Sequence, residues 1–299
     1  EVEADPSDES MTRAKEAYEA NGCDGLIAAG GGSSIDTAKS AGVLIGNGGI
    51  IHDYFGFGNV PKPPPPIITV PTTTGTGSEV TCSAIVTDTA RRVKAVMASP
   101  IMFARVAIVD PGLLAGLPGP IAAGTLMDTL THAIESMGSP KANPWSRTLC
   151  LQAIAHIGKY ARRFAAAPSD LESADPISIS STWAGHCFTN TGLGIVHSLS
   201  HPVGSYHHVH HGTSNAIFLP PVMLFNLQAV REDYARIAPL LQPPDETSQI
   251  DPADEAAPQA AIHSVRALVK DLGIPANLRE AGVPGDAHFE IMDKDAAES

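Results

Sequence analysis

Cysteine is scarce, and nothing in its spacing suggests pairing. The 299-residue chain has four, Cys23, Cys82, Cys150 and Cys187, too scattered for a disulfide framework or a cysteine-type zinc site. That usage fits a reducing cytoplasm. Positive charge is short as well, with 19 Lys and Arg against 32 Asp and Glu and a net charge of -13. Without a basic cluster, such a chain repels polyanions, which excludes nucleic acid and anionic lipid as partners. Long apolar runs are also missing. None reaches membrane-spanning length, and the chain opens Glu1-Val2-Glu3-Ala4-Asp5-Pro6, the opposite of a basic signal-peptide start. The expectation is a soluble, cytoplasmic protein with no membrane association.

What is present divides the chain in two. At this length and 43% hydrophobic residues, two domains are expected. Met11 to Asn21 suits a polar-faced helix stopped by Gly22, and Leu26 to Ala29 suits a buried strand. Ser33 to Leu44 has helical spacing, while Ile67 to Val70 and Val106 to Val109 read as further buried strands. Strands alternating with helices predict an open, mainly parallel α/β sheet. Beyond Pro118 the β-rich runs disappear, and Ile121 to Met137, Trp145 to Ala167 and Val222 to Ala238 read as helices. Gln242 to Ala257 reads as a loop.

Three segments carry chemistry. Gly30-Gly31-Gly32-Ser33-Ser34-Ile35-Asp36-Thr37-Ala38-Lys39 follows a predicted strand and opens a helix. Glycines let backbone approach a phosphate, and the helix start offers N–H groups and a positive dipole end. The alternative is a tight turn that binds nothing, and the segment is not a GxGxxG fingerprint. Pro71-Thr72-Thr73-Thr74-Gly75-Thr76-Gly77-Ser78-Glu79-Val80-Thr81 also follows a strand. Its hydroxyls and unhindered N–H groups suit a phosphate or ribose at the edge where open α/β sheets bind ligands, although a flexible polar loop explains it equally well.

The third segment is histidine-rich. Asp128 and His132 lie four apart and share a helix face, as do His197 and His201, with His211 following before Gly212. His186, His207, His208 and His210 fall in the same stretch. Imidazoles with a carboxylate make a mixed nitrogen and oxygen site that suits Fe2+ or Zn2+. For 207–211 the alternative is a surface loop with incidental metal affinity.

The order GGGSSIDTAK, PTTTGTGSEVT, IVDP, DTLTHAIES, then GLGIVHSLSHPVGSYHHVHHGTSNAIFLP resembles the iron-containing (group III) alcohol dehydrogenase family across nearly the whole chain. The resemblance implies an α/β plus all-α architecture of the dehydroquinate synthase-like type. A truncated N-terminal nucleotide-binding parallel-sheet domain would occupy 1–117 and a C-terminal helical, metal-binding domain 118–299. It further implies Asp128, His132, His197 and His211 as metal ligands, the family's His-Gly pair selecting His211. His201 matches a second family histidine near the reacting carbon. A fourth imidazole on the metal would crowd the open position that catalysis needs, so a proton relay is expected of it.

Gly31, Gly32 and Ser33 match the pyrophosphate loop, Thr72, Thr73 and Thr76 match cofactor-contacting hydroxyls, Lys94 matches a lysine at the cofactor's ribose side, and Asp36 and Leu113 match further cofactor contacts. Asp5 stands where many relatives have Asn. The implied activity is hydride transfer between NAD or NADP and a small alcohol or aldehyde bound to Fe2+ or Zn2+, by a homo-oligomer, a dimer. An opening βαβ unit of the family is expected to be absent from the chain, and with it the residue that separates NAD from NADP. A polyol or oxoacid reductase of the same superfamily and a non-catalytic nucleotide- or metal-binding remnant are the alternatives.

Overall fold

The computed structural model describes residues 2–3, 6–89, 93–243, 250–285 and 289–298. Asp5 and part of the loop expected over 242–257 lie outside them. Helix α1 (Asp8–Ala20) starts where the Ser7 hydroxyl accepts from the Ser10 N–H. Strand β1 (Leu26–Gly30) leads into α2 (Gly32–Asn47), followed by β2 (Gly56–Phe57), β3 (Ile67–Pro71), β4 (Ser83–Asp88), β5 (Val93–Ala98) and β6 (Val106–Ala107). One sheet has the order β1-β3-β6 with both pairings parallel. All three strands end on the same edge, so the loops after β1 and β3 meet there. Helix α2 covers one face, burying Ile35 against the side that carries Ala28 and Ile67.

The second sheet, β2-β5-β4, went unseen in the sequence reading and adds one antiparallel pairing, β4 with β5, to the otherwise parallel strands. Its signal was present as alternation: Ala84, Val86 and Asp88 point inward along β4. Met11, Val43, Leu44, Ala84, Val86 and Met97 share one apolar cluster, so this sheet, α1 and α2 form a single packed unit.

Helices fill the rest: α3 (Gly119–Gly138), α4 (Pro144–Ala166), α5 (Leu171–Thr191), α6 (Ile195–His207), α7 (His211–Asn226), α8 (Arg231–Leu241), α9 (Ala257–Asp271) and α10 (Phe289–Glu298). Their starts are chemically marked. Asn143 accepts from the Ser146 N–H with Pro144 in the first turn of α4, and Asp170 does the same for Ser173 at α5. A separate core, with Leu126, Leu130, Ile154, Phe164, Ile177 and Val265 fully or almost fully buried, joins α3 to α9, while α10 packs through Met292 with Val203 of α6. The helix expected over 222–238 is in fact two, α7 ending at Asn226 and α8 beginning at Arg231. No proline or glycine marks that break. Tertiary packing sets it: Leu227 turns into the core and Asp233 pairs with Arg147 of α4. Among the described residues, no helix is long and apolar enough to cross a membrane.

Candidate metal and nicotinamide site

Helix α3 carries Asp128 and His132 one turn apart, both buried. Helix α6 brings His197 and α7 brings His211 to the same carboxylate. The Nε2 atoms of His132, His197 and His211 lie 3.7, 3.6 and 3.7 Å from Asp128 Oδ1. Asp128, His132 and His197 form a mutually close trio within 4.8 Å. Donors about 2.1 Å from a four-coordinate cation stand roughly 3.4 Å from one another, so this spacing fits a small divalent metal.

Asn215 tests the fit independently. Its side-chain N–H group donates to Asp128 Oδ1 at 2.7 Å and lies 3.3 and 3.2 Å from the Nε2 atoms of His197 and His211. One carboxylate oxygen and two ring nitrogens therefore converge on a single small group, the arrangement that a cation in its place would need. The His-Gly pair has a packing cause. A Cβ on Gly212 would stand 2.0 Å from the Gly124 carbonyl oxygen, so only glycine lets α7 approach α3 closely enough to deliver His211.

Electrostatics follow from this crowding. Burial pushes the Asp128 carboxyl up, but His132, His211 and His197 outweigh it and hold it far below the usual range. Burial lowers His132 to about 4. His197 goes the other way, to about 9, because Asp128 and Glu135 overcome its burial. His211 is held well below its ordinary value by burial, with His197, His201 and Lys94 adding to the shift. His201 sits beside the cluster, its ring centroid 6.2 Å from that of His197 and 5.4 Å from that of His211. Burial first, then the charges of His197 and Lys94, lower it to about 4.

The rings of the candidate ligands are held from outside. The His132 Nδ1 pairs with the Gly75 carbonyl at 3.0 Å, and its ring stacks on Phe188 at 4.4 Å. His197 Nδ1 meets Glu135 Oε2 at 2.6 Å. Gly75 belongs to the threonine-glycine loop after β3, so that loop touches the candidate ligand His132 directly. Helix α5 clamps the same loop: Ser181 Oγ accepts from the Gly75 N–H at 2.7 Å, and Thr182 Oγ1 donates to Glu79 at 2.9 Å. Gly77 has φ +59, and a Cβ there would stand 2.5 Å from Gly185 Cα; both the left-handed turn and the close approach require glycine.

The cofactor candidates gather at the carboxyl edge of the parallel sheet. Gly31 caps α2 with no side chain of its own, leaving the helix start open toward a ligand. A Cβ on Gly31 would lie 3.2 Å from Thr73, and one on Gly32 2.7 Å from Thr76 Cγ2, so the two loops pack as one surface with Ser33 in the first turn. Thr72 joins them through its N–H to the Gly30 carbonyl at 2.9 Å. Leu113, 42% exposed, lies on the turn after β6.

Two further cofactor candidates have neighbours of their own. Asp36 is buried beneath the loops, accepting from Ser78 Oγ and from the Ile85 N–H at 2.9 Å, so it braces the loops from within. Lys94 on β5 reaches toward α6, its Nζ 3.5 Å from where a Cβ of Gly204 would be, one turn from His201. Glu135, Asn215, Ser181 and Thr182 escaped the sequence reading. For Glu135 a signal existed, since Asp128, His132 and Glu135 at i, i+4 and i+7 share one helix face.

Comparison with known proteins agrees with this layout. Residues 1–111 match the family model "Iron-containing alcohol dehydrogenase" and residues 122–299 match "Fe-containing alcohol dehydrogenase family, C-terminal". The chain is 38% identical over 297 residues to an NAD-dependent methanol dehydrogenase of Bacillus methanolicus, covering 99% of this chain and 77% of that protein. It is 37% identical over 291 residues to a 1,3-propanediol dehydrogenase of Citrobacter freundii, covering 97% and 74%. The crystal structure of a 1,3-propanediol oxidoreductase superposes with a TM-score of 0.93 at 35% identity, over 100% of this chain and 77% of that one. An alcohol dehydrogenase from Oenococcus oeni gives 0.92 at 31% identity, over 100% and 76%. From the loop after β1 to the imidazoles of α6 and α7, sequence and fold agree with these proteins, and the chain belongs to the iron-containing alcohol dehydrogenase family.

Proposed function

We propose that this chain transfers a hydride between a nicotinamide cofactor and a small alcohol or aldehyde, at a divalent metal held by Asp128, His132, His197 and His211. The observation that carries the reading is the convergence of three imidazole nitrogens, two of them on buried side chains, on Asp128 Oδ1 at 3.6 to 3.7 Å, joined through Gly75 to the loop at the sheet's carboxyl edge. The metal is Fe2+ or Zn2+, both suited to a nitrogen and oxygen set. When bound, it supplies a Lewis acid that polarises the substrate oxygen.

The chain's own residues do the rest. Gly31, Gly32 and Ser33 offer backbone to a pyrophosphate at the start of α2, and Thr72, Thr73 and Thr76 offer hydroxyls to the rest of the cofactor. Leu113 borders that surface, and Lys94 brings a positive charge to its α6 side. The clamp of α5 on Gly75 fixes the distance between the cofactor surface and the imidazoles, which holds donor and acceptor carbons in a near-attack arrangement. His201, beside His197 and His211 and outside the ligand set, moves the alcohol proton through a ring nitrogen. The cofactor is NAD or NADP, with NAD supported by the NAD-dependent relative.

We read residues 1–117 as the cofactor-binding part and 118–299 as the metal-binding part, a division supported by the separate cores of the two regions. A screen of short alcohols and aldehydes with both cofactors, run on chain loaded with Fe2+ or Zn2+, tests the activity. Metal-dependent reduction of NAD or NADP by a short alcohol is expected; nicotinamide binding without turnover of any of them would overturn the reading.

A further inference from the structure

Glu135 is a carboxylate with its side chain only 7% exposed, and its bonds reach out of its own helix. Its Oε1 accepts from the Val196 N–H at 2.7 Å and its Oε2 from the Gly194 N–H at 3.0 Å. Gly194 is the cap position of α6 and has no side chain to satisfy those groups. A Cβ there would stand 2.9 Å from Glu135 Oε1, so the glycine leaves room for a cap supplied from α3. The same Oε2 lies 2.6 Å from His197 Nδ1. One carboxylate thus sets both the start of α6 and the rotation of the first imidazole that α6 carries.

We infer that Glu135 is a positioning residue of the metal centre, holding the proton of His197 Nδ1 and aiming Nε2 toward Asp128. The inference rests on the metal-site reading above. An ionised carboxylate can only accept hydrogen bonds, so a proton between Glu135 and His197 belongs to Nδ1, and Nε2, 3.6 Å from Asp128 Oδ1, is the nitrogen left to a metal once its own proton is displaced. An outer carboxylate also makes the imidazole a stronger donor to a metal. His132 has a neutral partner instead, the Gly75 carbonyl. Of these two ligands, His197 alone is supported by a charge.

Glu135→Gln tests this role. The amide has nearly the same size, and its oxygen still accepts from the Val196 N–H, but its NH2 group, which would face both His197 Nδ1 and the Gly194 N–H, is a donor. Turned toward Nδ1, it favours the tautomer with hydrogen on Nε2, the atom the metal needs. Metal-free wild type and Glu135→Gln are titrated with Co2+ against a chelator, recording affinity, visible absorption and the thermal midpoint of the metal-free form. A 10- to 100-fold weaker affinity with altered Co2+ bands is expected, the range typical for loss of an outer-shell partner. Glu135→Asp, still acceptor-only, is expected to recover part of the affinity.

Wild-type affinity and bands in Glu135→Gln overturn the inference, whatever happens to the thermal midpoint, because they leave Glu135 only a helix-capping role. A wild-type chain that takes up no Co2+ overturns the metal-site reading itself, a separate result. Should Glu135→Gln fail to fold, nitrogen NMR of Zn2+-loaded, 15N-histidine wild type decides the question. Hydrogen on Nδ1 and metal on Nε2 of His197 are expected, and a bare or metal-bound Nδ1 overturns the inference.

Discussion

Lys39 is fully buried, and replacing it with methionine tests whether the cofactor loops are held from beneath. Its Nζ donates to the carbonyl oxygens of Ser78, Thr81 and Ser83 at 2.5, 2.8 and 2.9 Å, and to Thr81 Oγ1 at 3.0 Å. Methionine fills a similar volume and leaves three buried carbonyls without that partner, each worth about 1–3 kcal/mol. It also strips Asp36 of its neighbouring cation, and breaking a buried charge pair costs about 3–5 kcal/mol. The two effects overlap, so about 3–5 kcal/mol is the expected total, a large share of the roughly 5–15 kcal/mol of a typical fold.

Urea unfolding followed by far-UV circular dichroism measures this loss, and with a slope of about 3 kcal/mol per molar the midpoint should fall by about 1 M or more. Asp36→Asn added to Lys39→Met should cost less than the sum of the two single changes, since both act on one network. The pH dependence carries a sign. Burial lowers Lys39 from 10.5 to about 8, so between those values the unfolded chain holds the proton more firmly. Wild-type stability should therefore rise across that window with a slope that Lys39→Met lacks. A midpoint within about 0.2 M of wild type, a small fraction of the expected shift, would refute the bracing role.

Two further changes separate cofactor from chemistry. Gly32→Val places a branched side chain where even a Cβ would stand 2.7 Å from Thr76; nicotinamide affinity, read by fluorescence titration, should drop at least tenfold, or about 1.4 kcal/mol, and an unchanged affinity would remove this loop from the cofactor surface. His201→Ala should keep its metal and cofactor affinity while turnover falls by about 10²–10⁴; loss of metal would make His201 a ligand, and normal turnover would leave it without a catalytic part.

The sequence disclosed the site in proportion to how local each signal was. Asp128 with His132 lies within one helical turn, and the glycine and threonine loops follow directly on their strands, so spacing offered them as candidates and the resemblance to the family gave them roles. Asp36 was legible as part of a phosphate-loop motif, but its direction was not, because burial against Ser78 and Ile85 depends on how the loop folds back. Ser181 meets Gly75 across 106 residues and Glu135 meets His197 across 62; such partners become visible only when helices pack. The break between α7 and α8 was hidden for the same reason, as Leu227 is buried there and Asp233 pairs with Arg147, with no proline or glycine to announce it.

Metal content in His197→Ala bears most directly on the central claim, because His197 touches Asp128 and its loss opens the cluster without touching the cofactor loops. Wild type and variant are incubated with Fe2+ or Zn2+, desalted, and assayed for bound metal per chain alongside nicotinamide reduction by short alcohols. The account predicts about one metal per wild-type chain, most of it lost from the variant, and turnover lost with it. Equal metal content and equal turnover in the two proteins would contradict it.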